Sequence, residues 1–420
     1  MKTLIKNIKR LIQVEESDPV NMRSGKEMSE LNCIDNAYLI FKEDKILDFG
    51  EMKHLNENFQ GSVFKSIDAK GKMVMPAFCD SHTHLVYAGS REMEFFDKQK
   101  GLSYQEIAKR GGGILNSAKL LHETSEDDLY KESMVRVEEI IGFGTGAVEI
   151  KSGYGLTPED EIKMLRVIRR ISETSPLTIK ATFLGAHAVP LRYKGKQEEY
   201  VDEIISEMIP VIASEDLAEY IDVFCEDGFF TVEDTDRIFN AAMKYGLRPK
   251  IHANQMGYSG GVQVGVKYNA LSVDHLESTG EKEFKALKGS ETIATLLPGS
   301  TFFLNMDYAP AREMIKYGLP IALATNYNPG SSPSGDMKFM MALAALKLKM
   351  SSEEIINAVT INGAYAMGIS DTHGSIARGK RANIIITKEI PSVEYMPYAF
   401  SSPLIDTVIL NGKIVREQSK

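Results

Sequence analysis

The chain has 420 residues, which is long enough for a barrel and an appended domain. Its residues are 43% apolar and 25% charged, a composition typical of a globular protein. Its formal net charge of −9 argues against a nucleic-acid partner. The sequence has no apolar run near the roughly 20 residues that cross a bilayer, which argues against a membrane partner. Three widely spaced cysteines are typical of a reducing compartment, so we expect a cytoplasmic protein.

Short β-rich runs separated by polar turns occupy the first 74 residues, and similar runs return near the carboxyl end. The segment Leu410-Asn411-Gly412-Lys413 places Asn-Gly between two such runs, which is a strong hairpin signal. Two β-rich ends around a different middle predict one small β-domain, built from residues 1–74 and 375–420.

The middle of the chain, residues 75–374, alternates apolar runs with amphipathic helices. Thr157 followed by Pro158 marks one helix start, and Ser351 with Glu354 forms a capping box for a helix predicted to run toward Met367. Eight β-then-α units favour a (β/α)8 barrel of the TIM type, although periodicity alone also fits an open sheet. The predicted strands are 73–82, 147–152, 178–187, 220–226, 249–252, 270–275, 292–297 and 320–325.

Histidines stand at the ends of several predicted strands, where the strands of a barrel meet at one mouth. His82 and His84 are two residues apart, and they point the same way because side chains on a strand alternate faces. A lone buried histidine is more often a hydrogen-bonded core residue than a metal ligand. Five at strand ends reverse that expectation; they are His82, His84, His187, His252 and His275.

A catalytic metal site wants about three protein ligands and an open position. The first two histidines and His252 form a plausible ligand set, which leaves His187 and His275 for substrate or proton work. The other three histidines lie in polar or helical contexts and are predicted to be at the surface: His54, His122 and His373.

The segment from Pro76 to His84 closely resembles the first-strand signature of the amidohydrolase superfamily, whose members are metal hydrolases with a (β/α)8 barrel and a small β-sandwich. Within that superfamily the resemblance is narrower and runs along essentially the whole chain. Six further segments look like those of the imidazolonepropionases: 84–92, 149–156, 183–190, 273–277, 308–312 and 328–332.

The resemblance implies hydrolysis of the cyclic amide of 4-imidazolone-5-propanoate to N-formimidoyl-L-glutamate, a step of histidine degradation. It also implies one divalent or trivalent metal ion, zinc or iron, and a homodimer. Arg91 in the first loop would clamp the carboxylate tail of this small-molecule substrate, although an arginine in a random loop is usually a surface ion pair. The implied substrate contacts are Arg91, Tyr154, His187, Gln255, Asn328, Gly330 and Ser331.

Two of these contacts have ordinary alternatives. Tyr154 between two glycines can present its hydroxyl, but a packed tyrosine is equally compatible with the pattern. Asn328-Pro329-Gly330 by itself is simply a turn.

His275, preceded by Asp274, is a candidate for a catalytic role, as are Gln255 and Asn326, although Asp274 could simply cap a strand end. Glu277 is a further candidate, but the default expectation for it is an exposed, solvated carboxylate.

Asn326 departs from the family pattern. The eighth strand of the family normally ends Ala-Thr-Asp, and its aspartate is a metal ligand and proton acceptor, whereas this chain reads Ala324-Thr325-Asn326. An amide offers a neutral oxygen to a metal but does not accept a proton near neutral pH. Loss of a general base typically costs on the order of 10²–10⁴ in rate.

Three explanations of Asn326 are open on the sequence. It is an engineered substitution, a natural one with His275 as the base at a reduced rate, or the mark of a catalytically silent relative that only binds metal or ligand. A related cyclic amidohydrolase or deaminase is a further alternative. The loops that carry Arg91, Tyr154 and Asn328 argue against it, because a neutral nucleobase needs no cationic clamp.

Overall fold

A barrel of parallel strands forms the centre of the computed structural model, which describes residues 2–16, 20–55, 64–101 and 112–417. The eight strands are hydrogen-bonded in chain order. A parallel bridge between Thr83 and Tyr327 brings the last strand back to the first, so the barrel is nearly closed. From β1 to β8 the strands are Phe78–Thr83, Thr145–Lys151, Thr178–Ala186, Tyr220–Cys225, Ile251–Ala253, Ser272–His275, Ile293–Leu296 and Ile321–Leu323.

Helices cover the outside of the barrel, as β-then-α repeats require. β1, β2 and β4 are buried along their whole length, which is typical of parallel strands covered on both faces. None of the described helices combines the length and apolarity needed to cross a membrane. The α-helices after β1 are Glu92–Gln99, Ile114–Glu123, Glu126–Gly142, Pro158–Thr174, Gln197–Glu203, Ile209–Ser214, Val232–Met243, Gly261–Lys267, Glu281–Leu287, Pro298–Leu304, Ala311–Tyr317, Met337–Leu346, Ser352–Val359, Ile361–Ala366 and Tyr395–Tyr398.

Shorter helical turns connect some of these elements. Ile204–Met208 is a π-helical turn, and the 3-10 turns are Gly25–Ser29, Met52–His54 and Leu191–Tyr193.

The helix starts that the sequence marks are confirmed. The Thr157 side chain accepts a hydrogen bond from the backbone N–H of Asp160, and Ser351 forms the predicted capping box with Glu354. The continuous helix predicted beyond Ser351 is wrong. It is interrupted at Thr360, whose φ of −121° and ψ of −91° are not helical.

The small domain contains one mixed sheet to which both ends of the chain contribute. Asn411 and Gly412 have φ of 49° and 71°, and they join two antiparallel strands as the Asn-Gly signal predicts. The sheet strands are Lys2–Ile12, Cys33–Lys42, Lys45–Glu51, Phe64–Asp68, Lys72–Pro76, Ile384–Glu389, Ile405–Leu410 and Lys413–Glu417, and a separate short pair is Val14–Glu15 with Ile376–Ala377.

One apolar run contributes a strand to each of the two sheets. The predicted strand 73–82 divides at Ala77: Lys72–Pro76 pairs in the small sheet, and Phe78–Thr83 is the first barrel strand. The fold is thus a (β/α)8 barrel with a terminal β-sheet packed beside it, while the domain limits at residues 74 and 375 stay a prediction.

Candidate metal centre and active site

Three histidines meet at the carboxyl ends of the barrel strands. His82 lies on β1, His84 follows it by two residues, and His252 lies on β5. All three are buried, and one ring nitrogen from each lies within 4.8 Å of the others. The spacing of two between His82 and His84 brings both rings to this side, as the strand period predicts. The structure thus gathers the three predicted metal ligands.

The free nitrogens of this cluster fit a cation. The Nδ1 of His82 lies 2.6 Å from Asp274 Oδ2, and the Nδ1 of His252 lies 3.0 Å from Asp222 Oδ2. These contacts leave the Nε2 atoms facing inward, where His252 Nε2 and His84 Nε2 are 3.4 Å apart. Among the described residues, the buried His82 Nε2 has no hydrogen-bond partner. Burial lowers the pKa of His82 and of His84 well below the usual range, so both rings are neutral donors of the kind that a metal requires.

A buried charge network supports the two histidine partners. Lys151 Nζ lies 2.8 Å from Asp222 Oδ2 and 3.7 Å from Asp274 Oδ2. It also lies 2.5 Å from Glu149 Oε1, and Glu149 in turn pairs with Lys250. Burial alone would lower the pKa of Lys151, but the surrounding carboxylates raise it, so the lysine is charged. Carboxylates behind metal-binding histidines fix the ring orientation and tautomer.

The cluster opens into a cavity of about 210 Å³ at the barrel mouth. Every predicted site residue except His82 lines it, since His82 is fully buried behind His84 and His252. The lining residues are His84, Arg91, Glu94, Ile114, Tyr154, His187, Phe224, Phe229, His252, Gln255, Met256, His275, Leu304, Met306, Asn326, Asn328, Gly330 and Ser331.

Arg91 provides the positive charge on the cavity wall. Its Nε and Nη2 donate to Glu94 Oε2 at 2.9 and 2.6 Å, so this carboxylate fixes one edge of the guanidinium. Gly330 lies against the guanidinium, because a Cβ added there would be 2.1 Å from Arg91 Nη1. The missing side chain of Gly330 is therefore what gives Arg91 its place on the wall.

The loop after β8 is held by its own side chains. Asn328 Oδ1 accepts hydrogen bonds from the backbone N–H groups of Gly330 and Ser331, each at 2.8 Å. Its Nδ2 donates to the Asn326 carbonyl at 2.6 Å and to Ser331 Oγ at 2.9 Å. Asn328 therefore combines both sequence interpretations: it forms the turn, and it lines the cavity.

Tyr154 and His187 also line the cavity. The Nδ1–H of His187 donates to the Gly153 carbonyl at 2.9 Å, which leaves Nε2 as the free nitrogen of the ring. Burial lowers the pKa of His187 to about 3, so the ring is neutral. The His84 and His187 rings are stacked with centroids 5.2 Å apart. Tyr154 is buried beside them, with its centroid 5.4 Å from that of His187.

His275 ends β6 in a strained backbone conformation. Its φ is 89°, and that of the following Leu276 is 69°, a region that costs a non-glycine residue about 1–2 kcal/mol. His275 Nδ1 lies 3.5 Å from Glu277 Oε2. The Glu277 side chain is only 3% exposed and accepts a hydrogen bond from Thr301. The expectation of a solvated Glu277 is therefore wrong.

Asn326 and Gln255 place two amides at the cavity. The backbone N–H of Asn326 donates to the His82 carbonyl at 3.0 Å, which fixes the residue beside the histidine cluster. Its buried Oδ1 has no hydrogen-bond partner among the described residues. Gln255 is held by its backbone N–H, which donates to Glu226 Oε2 at 2.7 Å.

Sequence reasoning missed several residues of the site and misplaced one histidine. Asp222 carried no local signal, because its partners His252 and Lys151 are 30 and 71 positions away in the chain. Glu94 follows Arg91 by three residues, and that spacing is the signal that could have revealed the ion pair.

Asp274 stands directly before His275 in the sequence, yet its carboxylate contacts the ring of His82. His373 is buried rather than at the surface, because it packs beside β3 and its Nε2 lies 2.9 Å from Thr178 Oγ1.

Fold and site together define the class of barrel hydrolases with a histidine metal site at the carboxyl ends of the strands. A model of the amidohydrolase family matches residues 73–415. An imidazolonepropionase of Flavobacterium johnsoniae is 58% identical over 415 residues, which cover 99% of this chain and 100% of that protein. One from Christiangramia forsetii is 54% identical with the same coverage. The chain therefore belongs to the amidohydrolase family and, within it, to the imidazolonepropionases.

Solved structures of more distant proteins share the fold. Escherichia coli guanine deaminase superposes with a TM-score of 0.73 at 14% identity, over 100% of both chains. An atrazine chlorohydrolase from Arthrobacter aurescens, complexed with zinc, gives a TM-score of 0.73 at 14% identity, over 99% of this chain and 95% of that one. At such identities the likeness concerns the fold alone.

Proposed function

We propose that this chain opens the ring of 4-imidazolone-5-propanoate by hydrolysis, in histidine degradation. One observation carries the proposal: the cavity that exposes His84 and His252 also exposes the Arg91 guanidinium. The histidine cluster suits the reacting ring, and the guanidinium suits the carboxylate tail. The relatives named imidazolonepropionase support the same substrate.

The residues of the cavity divide the work between binding and chemistry. A zinc or iron ion held by His82, His84 and His252 would supply Lewis acidity, which lowers the pKa of water and polarises a carbonyl. Arg91 binds the substrate carboxylate through the guanidinium edge that Glu94 leaves free. His187 and Tyr154, together with Gly330 and Ser331, contact and orient the substrate.

Proton transfer falls to His275 in this chain. Asn326 is the fourth donor of the proposed metal site and adds an oxygen to the three histidine nitrogens; its unpaired Oδ1 supports that role. Its amide holds no titratable proton acceptor. His275 and Gln255 line the same cavity, and of these two only His275 can accept a proton and return it to the departing ring nitrogen.

Asn326 also favours a second candidate function. A relative that binds metal and ligand without turnover would tolerate the loss of the carboxylate, whereas a hydrolase loses rate. The retention of Arg91, Tyr154 and His187 on the cavity wall supports the hydrolase over this alternative.

The test compares the chain with its Asn326→Asp form, with metal content measured on both. We expect ring opening in the Asp form to be about 10²–10⁴ times faster, since the general base returns. Failure of the Asp form to open imidazolonepropanoate would refute the proposed function. Full activity of the unaltered chain would instead refute the account of the base.

Three finer proposals accompany this one. The metal is one zinc or iron ion per chain, the assembly is a homodimer, and the compartment is the cytoplasm. The donor set of imidazoles and an oxygen suits either metal, and elemental analysis of protein purified without added metal distinguishes them. Light scattering on a sizing column measures the assembly.

A further inference from the structure

The carboxylate of Glu161 lies at the centre of the loop that carries Tyr154. Glu161 Oε1 accepts hydrogen bonds from the backbone N–H groups of Gly155 at 2.7 Å and Leu156 at 3.0 Å, and Oε2 accepts from Gly153 at 3.0 Å. The side chain is fully buried. One carboxylate thus satisfies three of the backbone donors of this short loop.

Burying an ionised carboxylate costs free energy unless hydrogen bonds or nearby charges compensate it. Burial raises the pKa of Glu161, and the hydrogen bonds from Ser152 and from the loop backbone oppose that rise. Among the described residues no lysine, arginine or histidine forms a salt bridge with it. Backbone dipoles and the amino-terminal turn of its helix, Pro158–Thr174, compensate the charge instead.

The loop depends on this anchor because its backbone is unusual. Gly153 has a φ of 112°, and Leu156 has a φ of 56°, a left-handed conformation that disfavours a leucine. A Cβ at Gly155 would lie 2.3 Å from the backbone nitrogen of Glu161. The hydrogen bonds to Glu161 offset this strain and hold the loop against the start of the helix.

The same loop fixes two residues of the cavity. Tyr154 lies between the anchored Gly153 and Gly155, and the Gly153 carbonyl accepts the His187 Nδ1–H at 2.9 Å. A Cβ at Gly153 would lie 2.9 Å from that nitrogen, so the ring approaches the backbone as closely as glycine allows. Movement of Gly153 would therefore move His187 and Tyr154 together.

We propose that Glu161 is a positioning residue, which holds the loop 153–156 and through it sets Tyr154 and His187 against the substrate. The inference rests on the proposed function for its effect on substrate, since Glu161 does not line the cavity. It extends that function to a buried acid on the helix that follows β2.

The test uses Glu161→Gln and Glu161→Asp in the full chain and in its Asn326→Asp form. Glutamine keeps one acceptor oxygen but turns an NH2 group toward a backbone N–H, while aspartate keeps both oxygens on a shorter stem. Glu159→Gln is the matched control, because Glu159 is exposed in the same helical turn. Amide hydrogen exchange of residues 152–157, metal content, KM and kcat are measured for each.

We expect Glu161→Gln to lose amide protection in residues 152–157 and to raise KM about tenfold or more, with metal content kept and kcat changed less. Glu161→Asp recovers part of both effects, and Glu159→Gln changes neither. Unchanged protection in Glu161→Gln would overturn the inference whatever the substrate is. Lost protection with an unchanged KM would overturn the positioning role. Failure of the proposed function shows separately, as absent turnover in the parent Asn326→Asp enzyme.

Discussion

Gly330→Ala tests whether Arg91 binds the substrate tail. The added Cβ would lie 2.1 Å from Arg91 Nη1 and 2.7 Å from its Cζ, whereas ordinary contact begins near 3.4 Å. The guanidinium must therefore retreat by about 1.3 Å. Gly330 has no left-handed backbone, so the change acts through this contact rather than through strain.

The expected loss is about a hundredfold in kcat/KM, because a displacement of about 1 Å in a positioning group costs on that order. That factor corresponds to about 2.7 kcal/mol of transition-state stabilisation. It should appear mainly in KM, since Arg91 binds the tail and not the reacting ring. Gly280→Ala is the control, because its Cβ would find nothing closer than 3.5 Å.

A double-mutant cycle with Arg91→Ala completes the assay, in the Asn326→Asp form so that turnover is measurable. Once the guanidinium is gone, Gly330→Ala should change kcat/KM less than about twofold, because coupled residues do not add. Equal losses with and without Arg91 would refute the reasoning, as would a Gly330→Ala enzyme with the parent KM.

Two further predictions concern the histidine cluster and the buried His373. Asp274→Asn should weaken metal affinity about 10- to 100-fold, because it loosens the His82 ring. Competition with a chelator measures the affinity. Equal affinity in Asp274→Asn and in the exposed control Asp371→Asn would contradict the prediction. Burial lowers the pKa of His373 to about 3. Its folded pKa lies below the unfolded 6.5, so its contribution to stability is complete above pH 6.5 and is lost as pH falls toward 3. Urea unfolding at pH 5 and pH 7 should therefore show a fall in stability that is about 2 kcal/mol smaller for His373→Gln than for the parent. The exposed control His54→Gln should match the parent.

Local signals in the sequence were enough for the barrel and for part of the site. Eight apolar runs in alternation with helices predicted the strands, and the two-residue period from His82 to His84 predicted a shared face. Capping residues such as Thr157 predicted where helices begin. These features depend on residues a few positions apart, which is why they are readable in the chain.

The errors have a common origin in tertiary context. The pattern of the run 73–82 predicts one strand. Its first half instead pairs with Ile384–Glu389, and its second half pairs with β2. His373 reads as a surface residue, yet distant segments cover it. Burial and pairing of this kind are set by partners that no local pattern contains.

The sequence by itself determined the family, the three histidines of the candidate metal site and the amide at position 326, because each is a residue type at a fixed local spacing. Only the tertiary structure decided which side chains hold these residues in position. Asp274 contacts His82, which is 192 positions away in the chain, and Lys151 Nζ lies close to the carboxylates of both Asp274 and Asp222. The Glu161 carboxylate accepts hydrogen bonds from the loop that precedes its own helix. Parallel strands bring such residues to one mouth, and the contacts between them exist only once the barrel has closed.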